Sequence, residues 1–377
     1  MKRIMFITGT RADYGKIKSL MKALESTTEF EVYIYVSGMH LLERYGYTLR
    51  EIQKDGYKNI YPAFGQKMTS SMSYNLGDVI CNLTGYVENV KPDMMVVHGD
   101  RIEALAGAIV GAMNNICVAH IEGGEITGTI DESIRHAVSK FSHIHLVSNE
   151  HAKRNLIQLG EKKDDIYVIG SPDIDIMNSE NLPTLEETRQ RYDIAFEHYS
   201  ILMYHPVTTE LDRIGTNINQ IVKAVEKSGR NYIAILPNND CGSEIIQGVL
   251  ESIQSERLKL YPSLRFEHFL TLMKYADCII GNSSAGIREA GYYAVPVVDV
   301  GNRQRGRYNL EENPNIQWVE EDEEQILQAL ERIESRRIQT REYGDGDSTD
   351  KFIEIIQRPN FWKKDLQKRF ICLEGVW

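Results

Sequence analysis

Short apolar runs alternate with amphipathic stretches along most of the chain. RIMFIT (3–8), FEVYIYVSG (30–38), DMMVVHG (93–99) and CVAHIEGG (117–124) read as strands, and all four run into glycine. Between them, YGKIKSLMKALE (14–25) and EALAGAIVGAM (103–113) carry helical spacing. The rhythm resumes with IYVIGSP (166–172), SILMYHP (200–206), a helix around Asn217 to Lys227, YIAILPN (232–238), CIIGNSS (278–284) and VPVVDVG (295–301). Strands alternating with helices predict βαβ units, hence an α/β fold with parallel sheets, and two Rossmann-like sheets fit the run of elements better than one.

Gly170-Ser171-Pro172 and the polar stretch through Pro183 interrupt both periodic patterns, which places a domain boundary near residue 170. The expected organisation is an N-terminal Rossmann-like domain over 1–170, a C-terminal Rossmann-like one over 171–355, and a helical tail over 356–377. A charged helix, EEQILQALERIESRRIQ (323–339), precedes a Gly/Asp-rich loop, and the aromatic tail residues Trp362 and Phe370 are expected to pack on a core.

Composition narrows the function classes. A chain of 377 residues exceeds what one core usually serves. Its net charge of -11 argues against nucleic-acid binding, which relies on a basic face, so an anionic ligand must be met locally. The five cysteines (Cys81, Cys117, Cys241, Cys278, Cys372) lack CxxC spacing and read as reduced core residues. The start MKRIMFITGT has too short an apolar run for a signal peptide, and no segment approaches the roughly 18 apolar residues of a membrane span. A cytoplasmic location, away from membranes, is the expectation.

In parallel sheets ligands sit beyond the carboxyl ends of strands, so polar residues that directly follow an apolar run are the candidates. In GTRADYGK (9–16) a strand turns through glycine into a helix start, with Arg11 and Lys16 adding positive charge. Ile17 stands where a Walker loop needs Ser or Thr for magnesium, which disfavours an ATPase. Two further strands end in Asp100-Arg101 and in Glu122, and adjacent parallel strands would bring these carboxylates together. Neighbouring carboxylates away from water acquire different pKa values, which supplies an acid and a base at neutral pH. Asp131 follows at the start of DESIRHAVSKF (131–141). A capping box of Thr129 with Glu132 is the plainer account of that turn, but the cluster favours catalysis for Asp131.

Ser283 and Ser284, at a strand-to-helix turn, suit a phosphate, and Glu289 on the following helix suits ribose hydroxyls. His205 and His40 each follow a strand as ligand-facing residues do. His143 and His145 share one strand pattern and lack a third ligand, so no metal is expected, and no cofactor either.

GTRADYGK, SGMHLL, HGDRIEALA, HIEGGEITGTIDESIRHA, YHPVTTE and IGNSSAGIREAG occur in an order that resembles the hydrolysing UDP-N-acetylglucosamine 2-epimerases of sialic acid biosynthesis, across essentially the whole chain. Non-hydrolysing relatives resemble HVEAG and TGQH at the matching places, where this chain has HIEGG and Ser37 to His40. The resemblance implies a GT-B type fold with a UDP-sugar in the cleft between its domains, and a homodimer or homotetramer. It assigns the phosphates to Arg11, His205, Ser283 and Ser284, the ribose to Glu289, and the sugar to Lys16, His40 and Arg101. Asp100, Glu122 and Asp131 become the catalytic carboxylates. Competing readings are the same chemistry on UDP-N,N'-diacetylbacillosamine, a GT-B glycosyltransferase, which would not need three clustered carboxylates, and a nucleotide-sugar sensor without turnover.

Overall fold

The computed structural model describes residues 1–65, 71–127, 130–179, 181–207, 209–237 and 241–371. Two compact units form. The first comprises Met1–Glu125, Ile130–Asn178 and Tyr343–Trp377, and the second comprises Ile126–Thr129 with Ser179–Glu342.

The first unit holds a seven-stranded sheet of β1 (Lys2–Thr8), β2 (Phe30–Val36), β3 (Asn59–Pro62), β4 (Met94–His98), β5 (Cys117–Ile121), β6 (Ile144–Val147) and β7 (Ile166–Val168), in the order β3-β2-β1-β4-β5-β6-β7. Every pairing is parallel. Helices cover both faces, so β4 and β5 are buried along their whole length and read as continuous apolar runs rather than alternating ones. The helix Arg11–Glu25 shows how a sequence stripe becomes core: Tyr14, Ile17, Leu20, Met21 and Leu24 recur every three or four residues and all are buried. Each such side chain contributes about 1.5–3 kcal/mol on leaving water.

The second unit holds a six-stranded sheet of β8 (Ser200–Met203), β9 (Tyr232–Ile235), β10 (Leu258–Tyr261), β11 (Ile279–Gly281), β12 (Val297–Val300) and β13 (Ile316–Val319), in the order β10-β9-β8-β11-β12-β13 and again wholly parallel. Its core gathers Leu202, Ile218, Ile221, Ala234, Ile280 and Val298.

The unit boundaries differ from the sequence expectation of 170 and 355. Residues through Asn178 stay with the first unit because the helix Pro172–Met177 packs on Arg11–Glu25. The helix Ser348–Gln357 also belongs to the first unit, where Phe352, Ile355 and Ile356 join the core of β1 and β2. Of the tail aromatics, Trp362 packs 6.2 Å from Phe30, whereas Phe370 is 90% exposed, contrary to expectation. Among the described residues beyond Gln357, the tail is helical only as a short turn at Phe361–Lys363. Cys81, Cys117, Cys241 and Cys278 are free thiols; Cys117 and Cys278 are buried, Cys81 and Cys241 are exposed rather than in a core, and Cys372 lies outside the described residues. Among the described residues no helix is long and apolar enough to cross a membrane.

Candidate active site

In each sheet the strand order reverses at one place, between β1 and β4 in the first and between β8 and β11 in the second. A crevice opens at such a switch point because the crossovers leave in opposite directions. The chain leaving β1 and β4 carries Arg11 and Asp100, and the chain leaving β8 and β11 carries His205, Ser283 and Ser284.

After β1, Thr10 caps the helix Arg11–Glu25 in a capping box with Asp13. The Asp13 carboxylate also accepts from the Gly9 amide at 3.0 Å and from the Thr8 hydroxyl. Burial pushes the Asp13 carboxyl up, against the Gly9 and Thr8 hydrogen bonds. The helix start therefore satisfies several of its own amides, which leaves less of an anion cradle than the sequence suggested. Arg11 is not idle either: its Nε and Nη2 meet the two Glu51 oxygens at 3.1 and 2.7 Å.

His40 departs from expectation. The ring is fully buried, with Nε2 2.9 Å from the Thr8 hydroxyl and Nδ1 2.6 Å from the Thr48 hydroxyl. Thr8 gives its proton to Asp13, so His40 Nε2 donates to Thr8 while Nδ1 accepts from Thr48. Burial, helped by Arg11, pushes the ring down to about 3, so it is neutral. With both nitrogens engaged, His40 braces the β1 turn and has no polar atom to offer a sugar.

β4 and β5 pair with His98 opposite Ile121, so the turns carrying Asp100 and Glu122 leave the sheet side by side. Asp100 is ion-paired with Arg135, whose other guanidinium nitrogen donates to the Glu125 carbonyl at 3.1 Å. The Asp100 turn is fixed from below by buried His120, which donates from Nε2 to the Gly99 carbonyl at 2.8 Å and accepts from the Ser139 hydroxyl. Burial drives His120 down to about 3, which keeps that tautomer neutral.

Glu122 is a buried non-glycine residue at φ 63°, a conformation that costs about 1–3 kcal/mol and recurs at functional sites. Its Oε2 lies 3.3 Å from His98 Nε2, its Oε1 accepts from the Ser171 hydroxyl at 2.9 Å, and Lys16 Nζ is 3.8 Å away. Lys16 also reaches buried Asp173 at 3.2 Å.

Asp131 sits half-buried in the first turn of the helix Ile130–Phe141, one turn before Arg135 and so on the same helical face. Thr129, its expected capping neighbour, lies outside the described residues. The Arg101 side chain is 42% exposed, next to Glu103 and Met39.

In the second unit, Asn282 acts as a peptide mimic between the two strand ends. Its side chain accepts from the His205 amide at 2.7 Å and donates to the His205 carbonyl at 2.9 Å. Gly281, at φ 125°, lets the chain pass over β8, since a Cβ there would lie 2.0 Å from the Met203 carbonyl. Arg303 and Gln304 both donate to the Asn282 carbonyl. His205 is buried, burial and Arg303 hold it down at about 3, and its Nδ1 has no hydrogen-bond partner among the described residues. Ser283 caps the short helix Ser284–Arg288 by accepting from the Ala285 amide, and its hydroxyl proton remains available. Ser284 is half-buried beside it, and Glu289 is buried at the helix end.

The sequence thus placed the strand-end residues, but not the partners that aim them: Arg135, Ser171, Asp173, Glu51, Asn282 and Arg303. His143 and His145 are engaged elsewhere, with the Leu366 carbonyl and Glu161 respectively. No group of three His, Cys, Asp or Glu that could hold a metal ion occurs among the described residues.

Comparison with known proteins gives this geometry a family. The profile of the UDP-N-acetylglucosamine 2-epimerases matches residues 22–357. A protein of Neisseria meningitidis named UDP-N-acetylglucosamine 2-epimerase is 45% identical over 99% of this chain and 100% of its own. The UDP-N,N'-diacetylbacillosamine 2-epimerase (hydrolyzing) of Legionella pneumophila is 34% identical over 95% of this chain and 96% of its own. Among solved structures, the Methanocaldococcus jannaschii UDP-GlcNAc 2-epimerase in complex with UDP-GlcNAc and UDP superposes with a TM-score of 0.80 at 23% identity, over 94% of this chain and 99% of that one. The fold class is therefore α/β of the GT-B type, with two Rossmann-like domains. The chain belongs to the UDP-N-acetylglucosamine 2-epimerase family.

Proposed function

We propose that this protein is a hydrolysing 2-epimerase that converts UDP-N-acetylglucosamine and water to N-acetylmannosamine and UDP. The observation that carries the reading is the pair of strand-end carboxylates. Asp100 is held by Arg135, while Glu122 is held by Ser171 and flanked by His98 and Lys16, on adjacent strands.

The chemistry needs such a set. The proton at C2 of the sugar adjoins no carbonyl, so its removal must be assisted by departure of UDP from C1. As the C1–O bond breaks, oxocarbenium character acidifies the C2 proton, and cationic groups stabilise the leaving diphosphate. A carboxylate takes that proton, which leaves a 2-acetamidoglucal. Return of a proton to the opposite face of C2, with a water molecule adding its oxygen at C1 and releasing its second proton, gives N-acetylmannosamine. Two faces demand more than one acid or base, which Asp100, Glu122 and Asp131 supply in this reading. Arg11, His205, Ser283 and Ser284 are assigned to the phosphates, with Arg303 added, Glu289 to the ribose, and Lys16 and Arg101 to the sugar.

The word hydrolyzing in the Legionella relative's name supports release of free sugar. It also supports a second reading, the same chemistry on UDP-N,N'-diacetylbacillosamine. Release of UDP from each sugar nucleotide, without any acceptor, separates the two by kcat/KM. Asp100→Asn, Glu122→Gln and Asp131→Asn should each lower that release at least about a hundredfold, the scale of lost acid–base catalysis. Near-normal turnover in one of them removes that residue from the scheme.

A further inference from the structure

Glu122 is held by more than its own strand. Ser171, fully buried, donates its hydroxyl to Oε1 at 2.9 Å, which leaves Oε2 as the oxygen turned to His98. A glutamate's terminal torsion is broad and two-fold, so nothing intrinsic to the side chain selects which oxygen faces which way. The Ser171 hydroxyl on Oε1, with Lys16 Nζ 3.8 Å from the same oxygen, makes that selection.

Ser171 is itself anchored by a distant part of the chain. Its amide donates to the Tyr343 carbonyl at 2.7 Å. Gly170 and Gly344 pack backbone to backbone, and a Cβ on Gly344 would come within 3.0 Å of the Gly170 Cα. The Asp175 carboxylate accepts from the Ser348 and Thr349 amides at 2.9 and 2.6 Å. The loop that presents Ser171 also presents Asp173, 3.2 Å from the same Lys16 that lies 3.8 Å from Glu122.

We propose that Ser171 is a positioning residue for Glu122, and that the returning segment 343–349 holds Ser171 in place to fix the carboxylate's orientation. The inference rests on the proposed role of Glu122 as an acid or base. The Ser171 hydroxyl donates to Glu122, so its loss should weaken turnover and leave nucleotide binding intact.

The test is Ser171→Ala in the full chain, followed by UDP release from UDP-N-acetylglucosamine, UDP affinity by calorimetry and the thermal midpoint. A hydrogen bond to a charged group is lost, so kcat should fall roughly tenfold or more while KM and UDP affinity stay within about twofold. Ser171→Cys fills the same space with a weaker donor and should fall in between, which separates the bond from any cavity. A kcat within about twofold of the parent for both variants overturns the inference, as does a loss of UDP affinity that tracks the thermal midpoint. If the parent turns over but Glu122→Gln does too, the role of Glu122 has failed instead, and the inference falls with it.

Discussion

The carboxylate of Asp100 is ion-paired with the guanidinium of Arg135, whose side chain is only 4% exposed and which lies one helical turn after Asp131. One buried cation thereby ties a strand-end carboxylate to the helix that carries another. A guanidinium fork can serve the Asp100 carboxylate and the Glu125 carbonyl together, which a single ammonium cannot do with the same geometry.

Arg135→Met should therefore lower kcat at least about tenfold and cost about 1–3 kcal/mol of stability, the scale for leaving a half-buried carboxylate without its charged partner. Arg135→Lys should recover only part of the loss. Full activity in Arg135→Lys, measured by UDP release, would show that the fork is not needed.

The two serines after β11 do different work and should separate experimentally. Ser283→Ala removes a helix cap, so about 1 kcal/mol of stability should go along with UDP affinity. Ser284 has no cap to lose, so Ser284→Ala should leave urea denaturation unchanged and weaken UDP binding roughly tenfold. Equal stability losses in the two would contradict the assignment.

Burial of Asp299 gives the second unit a pH dependence whose sign follows from the raised carboxyl. Burial pushes its carboxyl up to about 7, against a hydrogen bond from Tyr308 and the charges of Arg307 and Arg303. A carboxyl whose folded value lies above its unfolded one binds its proton more tightly when folded. Its contribution is complete below the unfolded value near 4 and is lost as pH rises through 7, by on the order of a few kcal/mol. Asp299→Asn should flatten the fall in thermal midpoint between about pH 4 and 7 and raise the midpoint at pH 8. An unchanged pH profile would exclude Asp299 as its source.

The C-terminal segment offers a contrast in packing. Phe361 is 5% exposed in the core of the first unit and Phe370 is 90% exposed. Phe361→Ala should cost about 3–5 kcal/mol, whereas Phe370→Ala should stay within about 0.5 kcal/mol of the parent. Guanidinium denaturation midpoints of the two variants decide the point.

How much was legible in the sequence follows from burial. The central strands β1, β2, β4, β5, β8, β11 and β12 announce themselves because buried parallel strands are continuous apolar runs. The edge strands β3 and β10 passed unread because none of their side chains is buried, edge strand β13 passed unread with its two middle residues uncovered, and edge strand β7 was read through IYVIGSP. Return of the helix Ser348–Gln357 to the first unit left no local signal, since an amphipathic stripe does not say which core it joins.

At the candidate site, strand-end position pointed to Asp100, Glu122, His205 and Ser283. Arg135, Ser171 and Glu51 are neighbours only through tertiary structure, so no spacing rule could find them. The Thr10–Asp13 capping box was present as a T-x-x-D pattern and would have warned that the first helix start caps itself. His40 looked like a ligand because it follows a strand, and burial between two threonines is what makes it structural.

The most direct measurement is proton NMR of the products formed from UDP-N-acetylglucosamine in deuterated buffer. Free UDP together with N-acetylmannosamine carrying deuterium at C2 is the expected outcome. Intact UDP-N-acetylmannosamine as the product would contradict hydrolysis, and N-acetylmannosamine that keeps its original C2 proton would contradict the carboxylate-mediated exchange on which the proposed function stands.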